Sequence, residues 1–321
     1  MSRALSSVFS NRALIAVLGA VVIFAAGAVL IPGFASLFSV RAMLILGSLL
    51  AIAALGQTLV MILGGIDLSI PFVIGFANVV FASLYGDGLP APATFAIVLG
   101  CAALIGAASG ALSAALAIHP LIVTLGIGTA VQAGVQIWTR GLPMGSAPQA
   151  INDFVSLGGS TGPLPFPPLV PFTLLLALAI LFVLRRTIYG RKLYALGASP
   201  KAAELALVRP VALWATTFAL SAVFAALAGI LLLGFTGSSS AGVGTPYLFQ
   251  TVSAVVIGGT ALIGGRGGYI GTVAGAMVLV ELRTVLIGLG LPEASVQAAL
   301  GVLILALVAA YGRDQHIRNL I

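Results

Sequence analysis

The chain has 321 residues, 60% of them hydrophobic and only 7% charged, and its mean hydropathy is +1.22. A soluble domain carries about a quarter charged residues, so a water-solvated globule is excluded and the solvent must be lipid. The formal charge of +7 does not point to nucleic acid, because the basic residues cluster in short segments between apolar runs, as in proteins that fix their orientation in a membrane.

A crossing helix needs about 20 mostly apolar residues. On that rule ten spans are expected, at 13–31, 42–63, 69–85, 92–117, 120–138, 169–184, 211–234, 248–263, 269–290 and 295–311. The first follows a basic start, MSRALSSVFSNR, but its apolar run is longer than a signal peptide's, so it reads as a retained span. The third and sixth are short, which leaves open whether they re-enter or mismatch the bilayer. Strands of a barrel would alternate apolar and polar residues in short segments, and these do not. The expected fold class is therefore all-α, one polytopic transmembrane domain over residues 1–321. The 40 glycines suit helices that pack closely through small residues.

With ten spans both termini share a side. That side holds Arg3, Arg12, Arg185, Arg186, Arg191, Lys192, Lys201, Arg209, Arg266, Arg313 and Arg318, the opposite side only Arg41 and Arg140, and Arg283 falls within a span. The basic side is expected to be cytoplasmic. The outer loop, 139–168, is rich in Gly, Pro and Ser. The inner loop, 185–210, carries Glu204 and a run of basic residues. Within it Ser199 followed by Pro200 marks a helix start, since the hydroxyl caps free N–H groups and proline fits the first helical position. A short helix over 200–207 is expected.

Between Ala42 and Tyr85 the one charge is Asp67, in LGGIDLSIP. Gly64 and Gly65 end a helix at little steric cost; Asp67 or Ser69 then caps the next, and Pro71 falls in its first turn. Contact between Asp67 and a passing solute is the other reading. Glu281 and Arg283 lie in the ninth span, where they neutralise one another or reach water near the helix end. Cys101 cannot form an internal disulfide and reads as a small buried residue. No G-x-x-x-x-G-K-[ST], H-E-x-x-H or G-x-S-x-G occurs, His119 and His316 stand alone, and no metal or cofactor site is expected. The glycine turn GGRGG, Gly264–Gly268, is weak grounds for phosphate binding.

Four blocks resemble one family. GGIDLS (Gly64–Ser69), PLIVTLGIG (Pro120–Gly128) with TRGLP (Thr139–Pro143), YALGASPKAAELA (Tyr194–Ala206) and SAVVIGGTALIGGRGGYIGTVAGA (Ser253–Ala276) are similar, in the expected order, to permease subunits of bacterial ATP-binding-cassette importers of the ribose type. The resemblance implies a translocation path for a monosaccharide or related polyol across the inner membrane. It implies as partners a periplasmic binding protein, a separate ATPase subunit that binds the ATP, and a second permease, either a copy or a relative. The inner loop would couple to the ATPase through Gly197, Ser199, Pro200, Lys201, Ala202, Ala203 and Glu204, with Lys201 and Glu204 as docking contacts and the two alanines allowing close approach. The outer loop would receive the binding protein, with Arg140 as its cation. Gln57, Asp67, Ser69, Asn78, Thr124 and Gln132 are the candidates for path or gate. Three departures bear on the cargo rather than the family: Ile70-Pro71-Phe72 where Val-Gly-Ser is common, Leu248 and Gln250 where an acidic pair is usual, and the charges Glu281 and Arg283. Intramembrane charges also mark proton relays, so the alternative is an ion-gradient-driven secondary transporter of a small polar solute.

Overall fold

A computed structural model describes residues 12–311. His316, Arg3, Arg313 and Arg318 lie outside the described residues. Among the described residues thirteen helices follow in order: α1 (Arg12–Leu30), α2 (Leu37–Leu63), α3 (Ile70–Gly86), α4 (Ala91–Ala115), α5 (Pro120–Trp138), α6 (Gln149–Val155), α7 (Leu169–Arg186), α8 (Ile188–Ala198), α9 (Pro200–Leu205), α10 (Pro210–Thr236), α11 (Tyr247–Ile257), α12 (Tyr269–Gly288) and α13 (Glu293–Tyr311). Among the described residues the β contacts amount to one isolated bridge, Thr161 to Leu164.

Ten of these helices fall on the ten expected segments. Seven are long and apolar enough to cross a membrane: α1, α2, α4, α5, α7, α10 and α12. Three apolar stretches are shorter, α3, α11 and Glu293–Leu303 of α13. The expected short sixth span is long enough after all, because α7 continues through Arg185 and Arg186. The eighth is the shortest instead. It ends at Ile257 because Gly258 and Gly259, the latter at φ +86°, stop the helix, and the chain turns through GGRGG to reach α12.

α2 is the pillar of the fold. Ser36 caps it, accepting from the N–H of Ser39 at 3.3 Å, and its 27 residues give a rod about 40 Å long. Every residue from Gly47 to Leu63 is buried, and α10, α12, α11, α7 and α8 all pack on it. α1, α4, α5 and α7 form the periphery, with Val21, Val22, Leu104, Ile122 and Leu175 among their exposed side chains. Lipid tails are as apolar as leucine, so such side chains carry no penalty there. Cys101 belongs to this outer face of α4 and is exposed, not buried as the sequence suggested; one thiol reads alike on either face of a helix in lipid.

The tightest pairing joins α4 to α10. Gly106 and Gly110, one turn apart on α4, lie against the backbones of Phe218 and Trp214, and a Cβ on either glycine would run into a carbonyl oxygen of α10. This is small-residue packing, in which close approach supplies the dispersion energy that lipid cannot undercut. Gly110→Leu is expected to force the helices apart, costing about 1–3 kcal/mol and lowering the temperature at which half the detergent-solubilised protein leaves the monodisperse peak. Gly100→Leu, where a Cβ meets open space on the same helix, should leave that temperature unchanged.

Candidate functional site: a broken helix and the junction beneath it

Between α2 and α3 the chain runs without helical hydrogen bonds from Gly64 to Ser69. Gly64, at φ +95°, terminates α2, and the N–H of Gly65 closes back onto the Val60 carbonyl at 2.9 Å. Gly65, Asp67 and Ser69 are buried and Ile66 and Leu68 half-buried, so the polar backbone groups around Asp67 need partners from the protein. Beyond the segment itself, the partners come from three helices, α2, α5 and α10. The Asp67 N–H donates to Gln57 Oε1 of α2 at 3.3 Å, and the Leu68 N–H to Thr124 Oγ1 of α5 at 3.0 Å. Asp67, 1% exposed, accepts from the Ser69 N–H at 2.9 Å and the Ser69 hydroxyl at 2.6 Å through Oδ1. Its Oδ2 accepts from the hydroxyl of Ser221 on α10 at 2.7 Å.

Four of the sequence-derived path residues, Gln57, Asp67, Ser69 and Thr124, are thus gathered in one buried cluster; Gln57, Asp67 and Thr124 hold backbone N–H groups, and the Ser69 hydroxyl donates to Asp67. Asp67 does serve the start of α3, but through the N–H of Ser69, the cap residue itself, whose own side chain makes no capping bond. Ser221 is the member that sequence reasoning missed, since one hydroxyl in an apolar helix carries no signal. Asn78 stands apart. Its Nδ2 donates to the Gly229 carbonyl at 3.1 Å and its Oδ1 accepts from the Ser240 N–H at 2.9 Å, bracing the link from α10 to α11. Gln132 is half-buried on α5 and belongs to neither group.

Directly beyond the break, at the end of the bundle that carries the basic loop, three segments interlock. The Ile62 carbonyl, left over at the end of α2, accepts from the Gly265 N–H at 2.8 Å. Gly197 of α8 lies against the same carbonyl so closely that a Cβ has no room. The Tyr194 hydroxyl donates to the Gly267 carbonyl at 2.8 Å. GGRGG is therefore a structural turn clasped between α2 and α8, with Gly264, Gly265 and Gly267 all at positive φ.

The inner loop is mostly helical. Thr187 caps α8, and Ser199 caps α9 by accepting from the Ala202 N–H at 3.4 Å, with Pro200 at the first position. α9 ends at Leu205, two residues short of the expectation. Lys201, Ala202 and Glu204 are exposed, and so are Ser199 and Pro200. Ala203 differs from the role expected of it: it is 2% exposed and packs with Leu193, Leu196, Val208 and Leu213, so no partner can approach it. The apolar side chains presented outward are Leu205 and Leu207, each 88% exposed. A six-residue helix is too short for its periodicity to reveal them.

At the opposite end, Arg41 lies inside α2. Its Nε donates to the Pro165 carbonyl at 2.6 Å and its Nη1 to the Leu157 carbonyl at 3.4 Å. α6 rises within the outer loop and packs on α10 through Ile151 and Val155. Arg140 is exposed, at φ +52°. Arg41→Met is expected to loosen the loop, since bonds from a charged donor contribute about 1.5–3 kcal/mol. Limited proteolysis between residues 157 and 166 should accelerate several-fold while cleavage elsewhere is unchanged. Glu281 and Arg283 do not pair. Residues two apart face different sides of a helix, and Arg283 instead meets Glu293 of α13 at 2.8 Å, leaving Glu281 buried.

Long apolar helices around a buried pillar, whose end is clasped by a basic loop, define a polytopic membrane protein. Residues 39–308 match the family described as "Branched-chain amino acid transport system / permease component", and the chain belongs to this family. It is 32% identical over 302 residues to the fructose import permease protein FrcC of Rhizobium meliloti, covering 92% of this chain and 83% of that one. It is 32% identical over 269 residues to the ribose import permease protein RbsC of Escherichia coli K12, covering 84% and 83%. To the autoinducer 2 import system permease protein LsrD of Photorhabdus luminescens it is 31% identical over 275 residues, covering 83% and 80%. No solved structure matches the chain. The family is one of transport-system permease components, not of catalysts, and the resemblance read in the four sequence blocks holds at that level.

Proposed function

We propose that the chain is the membrane-spanning permease subunit of an ATP-binding-cassette importer and that its cargo is a monosaccharide or related polyol. The observation that carries this reading is kinship along almost the whole chain with permeases named for fructose and ribose import. A periplasmic binding protein delivers the solute to the outer rim, where exposed Arg140 contributes to docking. The path runs between this chain and a second permease, a copy or a relative, in the bacterial inner membrane. Both termini are cytoplasmic, as the distribution of Lys and Arg supports. ATP is bound by the partner subunit, and this chain holds no cofactor.

The geometry supports a mechanical route. The outward face of α9, with Lys201, Glu204, Leu205 and Leu207, docks on the ATPase. Closure of the ATPase displaces α9 and α8, and Gly197 passes the displacement to the Ile62 end of α2. Asp67 lies five residues further along the chain, where its cluster ties the break to α5 and α10. A shift there re-aims these helices between two arrangements, which is all that alternating access requires of a partner that binds one state better. In this reading Asp67, Gln57 and Thr124 hold the gate's backbone, Ser69 braces the Asp67 carboxylate, and Asn78 holds the link from α10 to α11. Gln132, half-buried, faces the passage.

The family's description speaks of branched-chain amino acids, so the deciding experiment is competitive uptake. Cells carrying this permease with its own ATPase and binding protein are supplied with labelled ribose, fructose or leucine. Uptake of a monosaccharide, dependent on all three components and suppressed by unlabelled polyol, is expected. Uptake of leucine with none of either sugar would overturn the cargo assignment.

A further inference from the structure

At the basic end of the bundle, α1, α7, α8, the GGRGG turn and the start of α12 enclose a cavity of about 580 Å³. Its lining includes Arg185, Arg266 and Tyr194, whose hydroxyl fixes the turn through Gly267. Neither arginine has an acidic partner among the described residues. The 20-residue helix α12 opens on the same cavity. Its N-cap is Gly268, which offers no side chain to the first-turn N–H groups. Two guanidinium forks and the positive end of a helix, held close together, call for an anion, and phosphate oxygens fit both.

The apolar part of the lining chooses among phosphates. It is formed by Ala13 of α1, Leu181 of α7 and Ile270 of α12. α1 and α7 are peripheral helices whose neighbouring side chains, Leu14, Val17, Leu178 and Phe182, are exposed as lipid-facing residues are. The cavity therefore sits where hydrocarbon gives way to headgroups, with charge toward the basic loop and apolar surface toward the acyl chains. Basic pockets between spans at this depth take anionic headgroups. We propose that this cavity binds the phosphate headgroup of an anionic phospholipid from the leaflet on the basic side. It seats the lipid against the turn that clasps the end of α2.

The test is native mass spectrometry of the full chain, purified in detergent and titrated with phosphatidylglycerol. Three proteins are compared: the natural chain, Arg185→Gln/Arg266→Gln, and Arg191→Gln/Lys192→Gln, which removes two exposed charges of the same loop outside the cavity. One lipid per chain should persist on the natural protein and on the second variant, and apparent affinity should fall roughly tenfold or more in the first. Single substitutions at Arg185 or Arg266 should give intermediate losses, which a misfolded double variant would not. Equal retention by all three proteins, or equal loss from both double variants, overturns the site. Displacement of the lipid by millimolar inorganic phosphate, or equal binding of phosphatidylcholine, overturns the anionic-lipid assignment. Loss of ATPase association in Arg185→Gln/Arg266→Gln with the lipid retained overturns it in favour of a protein surface.

Discussion

Asp67→Ala is expected to abolish most of the monodisperse protein recovered from membranes, whereas Asp67→Asn keeps most of both yield and transport. The alanine leaves three donors without their acceptor in a buried cluster: the Ser69 N–H, the Ser69 hydroxyl and the Ser221 hydroxyl. Each buried donor left unpaired costs about 1–3 kcal/mol, so the loss is about 2–6 kcal/mol even if one serine hydroxyl finds a carbonyl in its own helix. Asparagine retains Oδ1 for both groups of Ser69 and offers its amide to the Ser221 oxygen, which can accept. Because Asp67 and Ser221 share one bond, Ser221→Ala should cost much less in the Asp67→Ala background than in the natural chain. Thermal stability of the four proteins, by size exclusion after heating, measures this directly. An asparagine variant that folds normally and transports nothing would mean that Asp67 meets the solute.

Leu205→Asp combined with Leu207→Asp should eliminate uptake while the permease inserts and accumulates normally. Both side chains are almost wholly exposed, and substitutions at such positions change stability by about 0.5 kcal/mol or less. A loss of transport would therefore report a lost partner. Recovery of the ATPase with the tagged permease should fall more than tenfold, about 1.4 kcal/mol. Ala203→Trp provides the contrast. Its side chain points into the packing of Leu193, Leu196, Val208 and Leu213, so it should lower folded yield as well as uptake. Normal ATPase recovery in the double leucine variant would place docking elsewhere on the loop.

The helical frame was legible because lipid allows only a few architectures. Apolar length locates spans, and Ser36, Gly64, Ser199 and Pro200 mark their ends by chemistry that acts within a few residues. Errors arose where length and chemistry disagree. The run through Val255 and Val256 continues apolar to Ile263, so composition extends the eighth span past Ile257, where two glycines end it. Arg41 reads as loop by its charge, yet α2 runs through it because its guanidinium reaches the carbonyls of Leu157 and Pro165. α6 was hidden in a segment rich in glycine and proline, although Ile151 and Val155, four apart, are the pair that lays it on α10. For the site, GGIDLS declared a broken helix and a buried carboxylate. Its partners Gln57, Thr124 and Ser221 come from 10, 56 and 154 residues away, and local spacing carries no record of such distances. The outward turn of Leu205 and the inward turn of Ala203 were illegible for the same reason. They depend on what α8 and α10 place behind α9.

In the proposed function this chain is a passive conduit driven by a separate ATPase. Affinity purification from the native membrane, with mass spectrometry and subunit stoichiometry, tests it most directly. An ATP-binding-cassette subunit at one per permease, with two permeases in each complex, is the expected result. Repeated recovery of the chain by itself, still active in uptake driven by an ion gradient, would contradict it and make the protein a secondary carrier.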